Sequence, residues 1–264
     1  LWRGGAGPER ASTRMLHPLG LAAYVHRMSV TGWLVGSVVL AAVMGLFAQE
    51  VTDAVLGNPA LADFMLASGD DPAEGFLAVT QLYLAVLACG FVVQAVGSLG
   101  REEQEGRVEP QLAGVVPRWR WLAAHLVVVL TGLLAIVLVS AVVFGASTAW
   151  STGESGYVAT LLWAGLAYLP AELVLAGLAL ALFGGVPRGY VAAWVAFGVV
   201  AFIAFLGAGL QMPQWMLDLA PTTHVGTPPQ GAVDTAGLVA LMLVAIALLA
   251  GGFAAFRRRA VPSG

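Results

Sequence analysis

The sequence predicts an all-α integral membrane protein with six transmembrane helices, and three observations carry this prediction. The 264-residue chain is 59% hydrophobic and only 10% charged, whereas soluble domains carry about 25% charged residues. Six apolar runs approach or exceed the roughly 20 residues that a helix needs to cross the hydrocarbon core. All twelve basic residues fall in four segments that six spans place on one side of the membrane.

The predicted spans form a membrane domain, residues 30–256, between two polar ends. The spans cover residues 30–48, 76–99, 121–146, 157–183, 190–210 and 236–256. The cytoplasmic parts are residues 1–29, 101–120 and 257–264, and the outer loops are residues 49–75, 147–156 and 211–235. The first run is the shortest, but we do not interpret it as a cleaved signal peptide because five more spans follow it.

The charges predict the orientation of the chain. Every basic residue is an arginine, and six spans place all of them on one side: Arg3, Arg10, Arg14, Arg27, Arg101, Arg107, Arg118, Arg120, Arg188, Arg257, Arg258 and Arg259. The opposite side carries acidic residues and no basic ones, whereas five or seven spans would scatter the arginines. Arginines accumulate in cytoplasmic loops, so both termini are predicted to lie in the cytoplasm. The lysine-free, alanine-rich composition indicates a bacterial protein, and hence a bacterial inner membrane.

Several kinds of chemistry are excluded. A nucleotide-binding P-loop needs a lysine on the phosphates, and this chain has none. The single cysteine, Cys89, excludes a disulfide within the chain, and four scattered histidines lack metal-ligand spacing. The net charge of -3 does not favour nucleic acid as a partner. We therefore expect no catalytic, cofactor or metal site here, and any use of ATP would require a separate subunit.

The cytoplasmic stretch 101–120, REEQEGRVEPQLAGVVPRWR, is the largest cluster of charges. Arg101 with Glu105, and Glu103 with Arg107, have the i,i+4 spacing that supports a helix running on from the second span. Pro110 can begin a new short helix, with Leu112 on its apolar side. Two interpretations stay open at this point: a solvated loop with weak surface ion pairs, or a docking element for a cytoplasmic partner.

Three other segments outside the spans have recognisable patterns. Residues 18–28, PLGLAAYVHRM, predict a helix lying in the cytoplasmic interface. The apolar positions of the first outer loop predict a short surface helix, and they are Val51, Val55, Leu61, Phe64 and Met65. Residues 211–234 are proline-rich and long, which points to a capping or gating loop. Trp33, Trp121, Trp150 and Trp215 lie near predicted span ends, as interface anchors do.

Polar residues inside the spans are the candidates for contact with a transported molecule. Glu172 lies about 22 Å from the outer end of the fourth span, two residues after Pro170, which can kink the helix. An ionisable residue within a span is a functional candidate, and a purely structural role is its alternative. The second span carries Gln81, Tyr83 and Gln94, which can bond between helices or line a cavity.

The loop sequence REEQEGRVEPQLAGVVPRWRWLAAHL resembles the segment between the second and third spans of type 2 ABC exporter permeases, especially bacterial exporters of polyketide antibiotics. Three other stretches resemble the same family: LHPLGLAAYVHRMSVTGWLVG, LPAELVLAGLALALFGGVPRG and LDLAPTTHVGTPPQG. Each is loose alone, but their order and spacing together are fairly specific. The resemblance covers nearly the whole chain and is stronger to the second of the two six-span halves that such permeases contain.

The resemblance implies a coupling helix over residues 101–116, on which a separate ABC ATP-binding subunit docks. Its side chains toward that subunit would include Arg101, Glu102, Glu103, Glu105, Arg107, Glu109 and Leu112. ATP and magnesium would bind to the partner, and a second six-helix half or permease copy would complete the transporter. A hydrophobic small molecule would move between the halves, along the second and fifth spans. The path candidates are Gln81, Tyr83, Gln94 and Glu172, although Glu172 departs from the family pattern.

The sequence thus predicts the permease subunit of an ATP-driven exporter of hydrophobic or amphiphilic compounds such as antibiotics, embedded in membrane lipid and not an enzyme by itself. Two other classes stay open. Half of an ion- or proton-driven transporter would use Glu172 as its proton site and respond to membrane potential. A non-transporting membrane scaffold would show neither ATP dependence nor a solvent cavity.

Overall fold

Long helices make up most of the chain that the computed structural model describes, residues 17–58, 71–104, 117–186, 189–207 and 209–258. The elements are α1 (Pro18–Leu46), α2 (Ala48–Leu56), α3 (Pro72–Gln104), α4 (Arg118–Thr152), α5 (Tyr157–Gly185), α6 (Gly189–Leu206), α7 (Gln214–Leu217), a 3-10 helix (Pro221–Val225) and α8 (Thr235–Arg258). Among the described residues, six helices are long and apolar enough to cross a membrane, namely α1, α3, α4, α5, α6 and α8. The predicted all-α architecture with six spans is confirmed.

The first span differs from its prediction. α1 runs without a break from Pro18 to Leu46, so the predicted interfacial stretch 18–28 is not a separate helix. Pro18 occupies the first turn, where a backbone N–H has no intrahelical partner in any case, so the proline costs the helix no hydrogen bond. No further proline occurs between Pro18 and Leu46 to end the helix. At 1.5 Å per residue α1 is about 43 Å long, which exceeds the roughly 30 Å hydrocarbon core. Its position relative to the membrane interface stays a prediction.

Other boundaries refine the predicted ones. α3 continues to Gln104, which confirms a helix running on from the second span, whereas residues 105–116 lie outside the described residues. α6 ends at Leu206 and not at 210, and the chain then turns through Gln211, whose φ is 49°. α2 confirms the outer helix at Val51 and Val55, but the rest of its predicted apolar positions are not among the described residues.

Two pairs of parallel helices organise the bundle. Along α1 and α4, the Ser147 hydroxyl donates to the Ala41 carbonyl at 3.3 Å and the Ser151 hydroxyl to the Gly45 carbonyl at 2.8 Å. Along α5 and α8, Gly177 packs against Ala245 and Leu248, and further on Gly184 packs against Gly252. Residue numbers rise together along each pair, so its helices run in the same direction. Successive spans cross the membrane in opposite directions, so the first and third spans must run parallel, as must the fourth and sixth. The two helix pairs agree with this requirement.

The described charges separate to opposite ends of the bundle. Trp121, at the start of α4, stacks on Phe256 near the end of α8, with ring centroids 6.1 Å apart. Phe256 also stacks on Phe183 at 5.5 Å, near the end of α5. The arginines whose side chains the structure describes flank this end: Arg27, Arg118, Arg120, Arg257 and Arg258. At the other end, Asp71, Glu74 and Glu154 lie close enough to Tyr157 to interact electrostatically.

The seam between α5 and α8 offers a direct test of the packing. A Cβ at Gly252 would lie 2.7 Å from the Ala181 backbone nitrogen, so Gly252→Ala forces backbone to move. We expect a loss of about 1–3 kcal/mol, seen as a lower thermal unfolding temperature in detergent. The neighbouring Gly251 has open space around its Cβ position, so Gly251→Ala is the matched control and should not destabilise. Equal effects of the two substitutions would contradict this seam.

Candidate functional site

The structure does not bring the four predicted path residues together. Gln81 and Glu172 are buried inside the bundle, with only 3% and 1% of their surfaces exposed. Tyr83 and Gln94 are half-buried at its edge. The four residues therefore divide into an interior pair and a pair on an accessible face.

Glu172 is enclosed by apolar packing. α5 is helical from Tyr157 to Gly185 with Pro170 inside it, and the neighbouring Ala171, Val174 and Leu175 are buried. The Oε2 atom of Glu172 has no hydrogen-bond partner among the described residues, and the Cys89 thiol on α3 is near enough to interact with the carboxyl group electrostatically. Its contacts are those of an interior packing position.

α3 is largely buried, but one stripe of it remains accessible. Val79 is exposed, and Tyr83, Leu87, Gln94 and Ser98 are half-buried. Their spacings of four and seven residues place them on one side of the helix. α3 therefore presents a single mixed polar and apolar face away from its own bundle.

α1 and α6 flank this stripe, one on each side. The Trp33 indole N–H donates a hydrogen bond to the Gln94 side-chain oxygen, which joins α1 to α3. On the other side, Tyr83 meets Phe205 of α6 edge to face at 4.8 Å. Gly90 lies between the two contacts, because a Cβ there would be 2.8 Å from the Trp33 ring and 3.2 Å from Phe197. We call the surface formed by α1, the α3 stripe and α6 the open face.

α6 gives the open face an apolar wall. The helix is buried through a narrow stripe that includes Ala193, Val200 and Ile203. Its exposed large side chains are all apolar or aromatic: Val191, Trp194, Val195, Val199, Phe202, Phe205 and Leu206. Such a surface can contact lipid, an apolar helix or the hydrophobic part of a small molecule.

A cavity of about 390 Å³ opens between α1 and α3 on the open face. It is lined by Met28, Ser29, Gly32, Trp33, Gly36 and Ser37 of α1, and by Leu87 and Gln94 of α3. Trp33, which the sequence places near the end of the first span as an interface anchor, lies midway along α1 and bonds to Gln94. Its position relative to the membrane interface stays a prediction. The sequence signal that could have indicated this cavity is the pair of glycines four residues apart, Gly32 and Gly36. They leave one face of α1 without side chains.

The outer loop packs over the outer part of the bundle. Ala220 is fully buried in the cluster that contains Cys89 and Leu175, and Val225 is buried against Tyr168 and Leu241. A single antiparallel bridge between Gly226 and Val233 closes the loop. A capping or gating role for this loop stays a prediction.

Two histidines that the sequence leaves far apart meet in the structure. His26 of α1 and His125 of α4 are both buried, and their ring nitrogens lie 3.1 Å apart in a hydrogen bond. Trp121 covers His125 with ring centroids 4.5 Å apart. No cluster of three or more potential metal ligands occurs among the described residues. This pair therefore ties α1 to α4 near the arginine-rich end.

The predicted docking side chains are only partly within the structure. The backbone of Arg101, Glu102 and Glu103 belongs to the last turns of α3. The remaining four, Glu105, Arg107, Glu109 and Leu112, lie outside the described residues. Their docking role stays a prediction.

Six spans, charges separated to two ends and an open apolar face define this chain as a multi-pass transmembrane domain. A family model described as "Multidrug efflux system permease Rv1217c, C-terminal domain" matches residues 15–257, and the chain belongs to this family. It is 35% identical over 267 aligned residues to the multidrug efflux system permease protein Rv1217c of Mycobacterium tuberculosis. That alignment covers 98% of this chain and 47% of the relative, so the chain spans about half the length of the curated relative it matches. The predicted resemblance to the second half of an efflux permease is confirmed.

Proposed function

We propose that this chain is one half of the permease of an ATP-driven exporter that moves hydrophobic or amphiphilic compounds, drugs and antibiotics among them, out of a bacterial cell. The observation that supports this most strongly is the family match over residues 15–257. A second six-span half would cover part of the open face. The chemistry of ATP would belong to a separate ABC subunit that binds ATP and magnesium.

The arginine-rich end is proposed to face the cytoplasm of the inner membrane, because arginines accumulate on the cytoplasmic side. The end of α3 and the segment that follows it, 101–120, would then reach the ATP-binding subunit. α3 is packed against α4, α5 and α6, so a force on its end is transmitted to the bundle as a whole. ATP binding would rock the spans as rigid bodies and open the path outward.

The path is proposed to follow the open face and not the interior of this half. Tyr83 and Gln94 are the two predicted residues on that face, and α6 supplies its apolar wall. Gln81 and Glu172 would not contact the transported compound. They would be buried polar residues that help to hold α3 and α5 in place.

The test is co-purification of the complete permease with its ATP-binding subunit, followed by ATPase measurement in vesicles. Amphiphilic compounds are expected to stimulate ATP hydrolysis, and vesicles with the outward face inside are expected to accumulate the compound in their lumen only when ATP is supplied in the medium. Transport that follows membrane potential without ATP would favour the proton-driven alternative. Stable assembly with neither transport nor stimulated hydrolysis would favour a membrane scaffold.

A further inference from the structure

We infer that α1 and α4 form, at the arginine-rich end of the bundle, a binding site for the headgroup of an anionic phospholipid. Arg27 of α1 and Arg120 of α4 are the residues that carry the site, and both side chains are exposed. The inference goes beyond the proposed function and does not depend on it, because a lipid site at this end requires neither transport nor ATP.

Each of the two arginines lies over an exposed aromatic ring of its own helix. The guanidinium carbon of Arg27 is 3.9 Å from the centroid of the Tyr24 ring, and that of Arg120 is 5.6 Å from the Trp119 ring. No ion pair joins either guanidinium group to a residue within the described part of the chain. A guanidinium group that rests on a ring keeps the N–H groups at its edge, and these match the geometry of a phosphate.

The two arginines lie on the same side of the α1–α4 pair. His26 and His125 meet across the pair at 3.1 Å, so they mark the facing sides of these parallel helices. Arg27 follows His26 by one residue, which is a rotation of about +100°, and Arg120 precedes His125 by five residues, a net rotation of about −140°. On two parallel helices that face each other, rotations of opposite sign lead to the same side. Both guanidinium groups therefore border one surface.

The depth of this surface agrees with the headgroup layer of a membrane. Arg27 lies about 28 Å from Leu46, the last residue of α1, which is close to the roughly 30 Å thickness of the hydrocarbon core. The next residue, Met28, is 75% exposed and can contact acyl chains. Arg120 lies about 8 Å from His125 toward the start of α4, and the headgroup layer on each side of a bilayer is about 5–8 Å thick. One headgroup can therefore meet both arginines.

The surroundings favour a lipid over a free anion. Val127 and Leu134 are exposed and follow Arg120 at spacings of seven residues, so they continue its side of α4 toward the middle of the membrane. An acyl chain can cover these side chains while its headgroup contacts the arginine, whereas inorganic phosphate would leave them uncovered. The general accumulation of arginines on one side of a membrane accounts for their location. It does not require that two of them rest on exposed rings above an exposed apolar stripe.

The test is native mass spectrometry of the complete permease with its ATP-binding subunit in detergent, titrated with dioleoylphosphatidylglycerol. Dioleoylphosphatidylcholine has the same acyl chains but no net charge, and the parent is expected to bind it about tenfold or more weakly. Arg27→Ala with Arg120→Ala is expected to weaken binding of the anionic lipid by about ten- to thirtyfold. Arg257→Ala with Arg258→Ala is the matched control, because it removes two exposed arginines from the same end on α8. This control should bind the anionic lipid like the parent.

A conservative variant separates the guanidinium group from its charge. Arg27→Lys with Arg120→Lys keeps both positive charges but lacks the planar group that rests on the ring and donates two parallel hydrogen bonds. Its affinity for the anionic lipid should lie between those of the parent and the alanine variant. The lysine variant also provides the measurement if the alanine variant does not assemble, and parental affinity in it would then contradict the site.

Four results would overturn the inference. Equal affinity of the parent for the two lipids would reduce the site to contact with acyl chains. Equal losses in the Arg27/Arg120 and Arg257/Arg258 alanine variants would reduce it to net charge. Displacement of the lipid by millimolar inorganic phosphate would assign the site to a free anion. Loss of the ATP-binding subunit from the Arg27/Arg120 variant with parental lipid binding would assign the surface to that subunit. Absence of stimulated ATPase, in contrast, would reject the exporter function and leave the lipid site standing.

Discussion

Replacing Glu103 and Glu105 together by alanine is expected to abolish transport-coupled ATP hydrolysis while leaving the chain folded. The two carboxylates belong to the proposed docking segment, 101–120, which follows from the end of α3. Charged side chains at such a contact pair with the partner, and truncating one side of a desolvated pair costs about 2–5 kcal/mol of binding. The double substitution leaves the apolar spans unchanged, so membrane insertion should not suffer. The measurement is substrate-stimulated ATPase in vesicles, together with the amount of ATP-binding subunit retained on purification.

The matched control is a second pair of charges at the same end of the bundle. Arg257→Ala with Arg258→Ala removes two exposed charges from the last turn of α8, a helix that is not part of the proposed docking segment. We expect this variant to keep stimulated ATPase. Full coupling in the glutamate variant, or equal loss in both variants, would contradict a docking role for residues 101–120.

The six spans could be predicted because crossing a membrane requires a long apolar helix, and both length and apolar composition can be read directly from the sequence. The arginines added a second constraint, since only an even number of spans puts them on one side. One boundary also followed the prediction: α3 continues past the second span to Gln104. The exception was α1, where an amphipathic stretch within a continuous helix resembled a separate interfacial helix.

The contacts between spans could not be predicted in the same way. In a membrane the face toward lipid and the face toward protein are both apolar, so periodicity does not identify which helices meet. His26 and His125 are 99 residues apart, and Trp33 and Gln94 are 61 apart, yet each pair is hydrogen-bonded. No local pattern in the sequence contains this information.

The path candidates illustrate the same limit. They were selected because polar residues are rare in spans, but a bundle also buries such residues between its own helices. Polarity therefore selected two residues inside the bundle, Gln81 and Glu172, together with two on the open face, Tyr83 and Gln94. The small residues Gly32, Gly36 and Ser37 shape the cavity, and polarity alone gave no reason to select them.

Replacing Glu172 by lysine is expected to prevent stable folding of the domain. The residue is 1% exposed among buried apolar side chains, and its Oε2 atom has no hydrogen-bond partner among the described residues. A lysine at the centre of a span costs about 2.5–3.5 kcal/mol, and here the longer side chain must also displace packed neighbours. Since whole domains are stable by only about 5–15 kcal/mol, we expect a large fall in the yield of monodisperse protein and in its unfolding temperature.

Glu172→Gln separates structure from proton chemistry, because it keeps the shape of the side chain and removes its ability to ionise. If Glu172 is a packing residue, the glutamine variant should fold, bind the ATP-binding subunit and show parental compound-stimulated ATPase. A folded glutamine variant that has lost transport would instead assign proton exchange to this carboxyl group and favour the ion-driven alternative. The comparison is informative because the residue lies outside the open face, so a loss of transport could not arise from a lost contact on the proposed path.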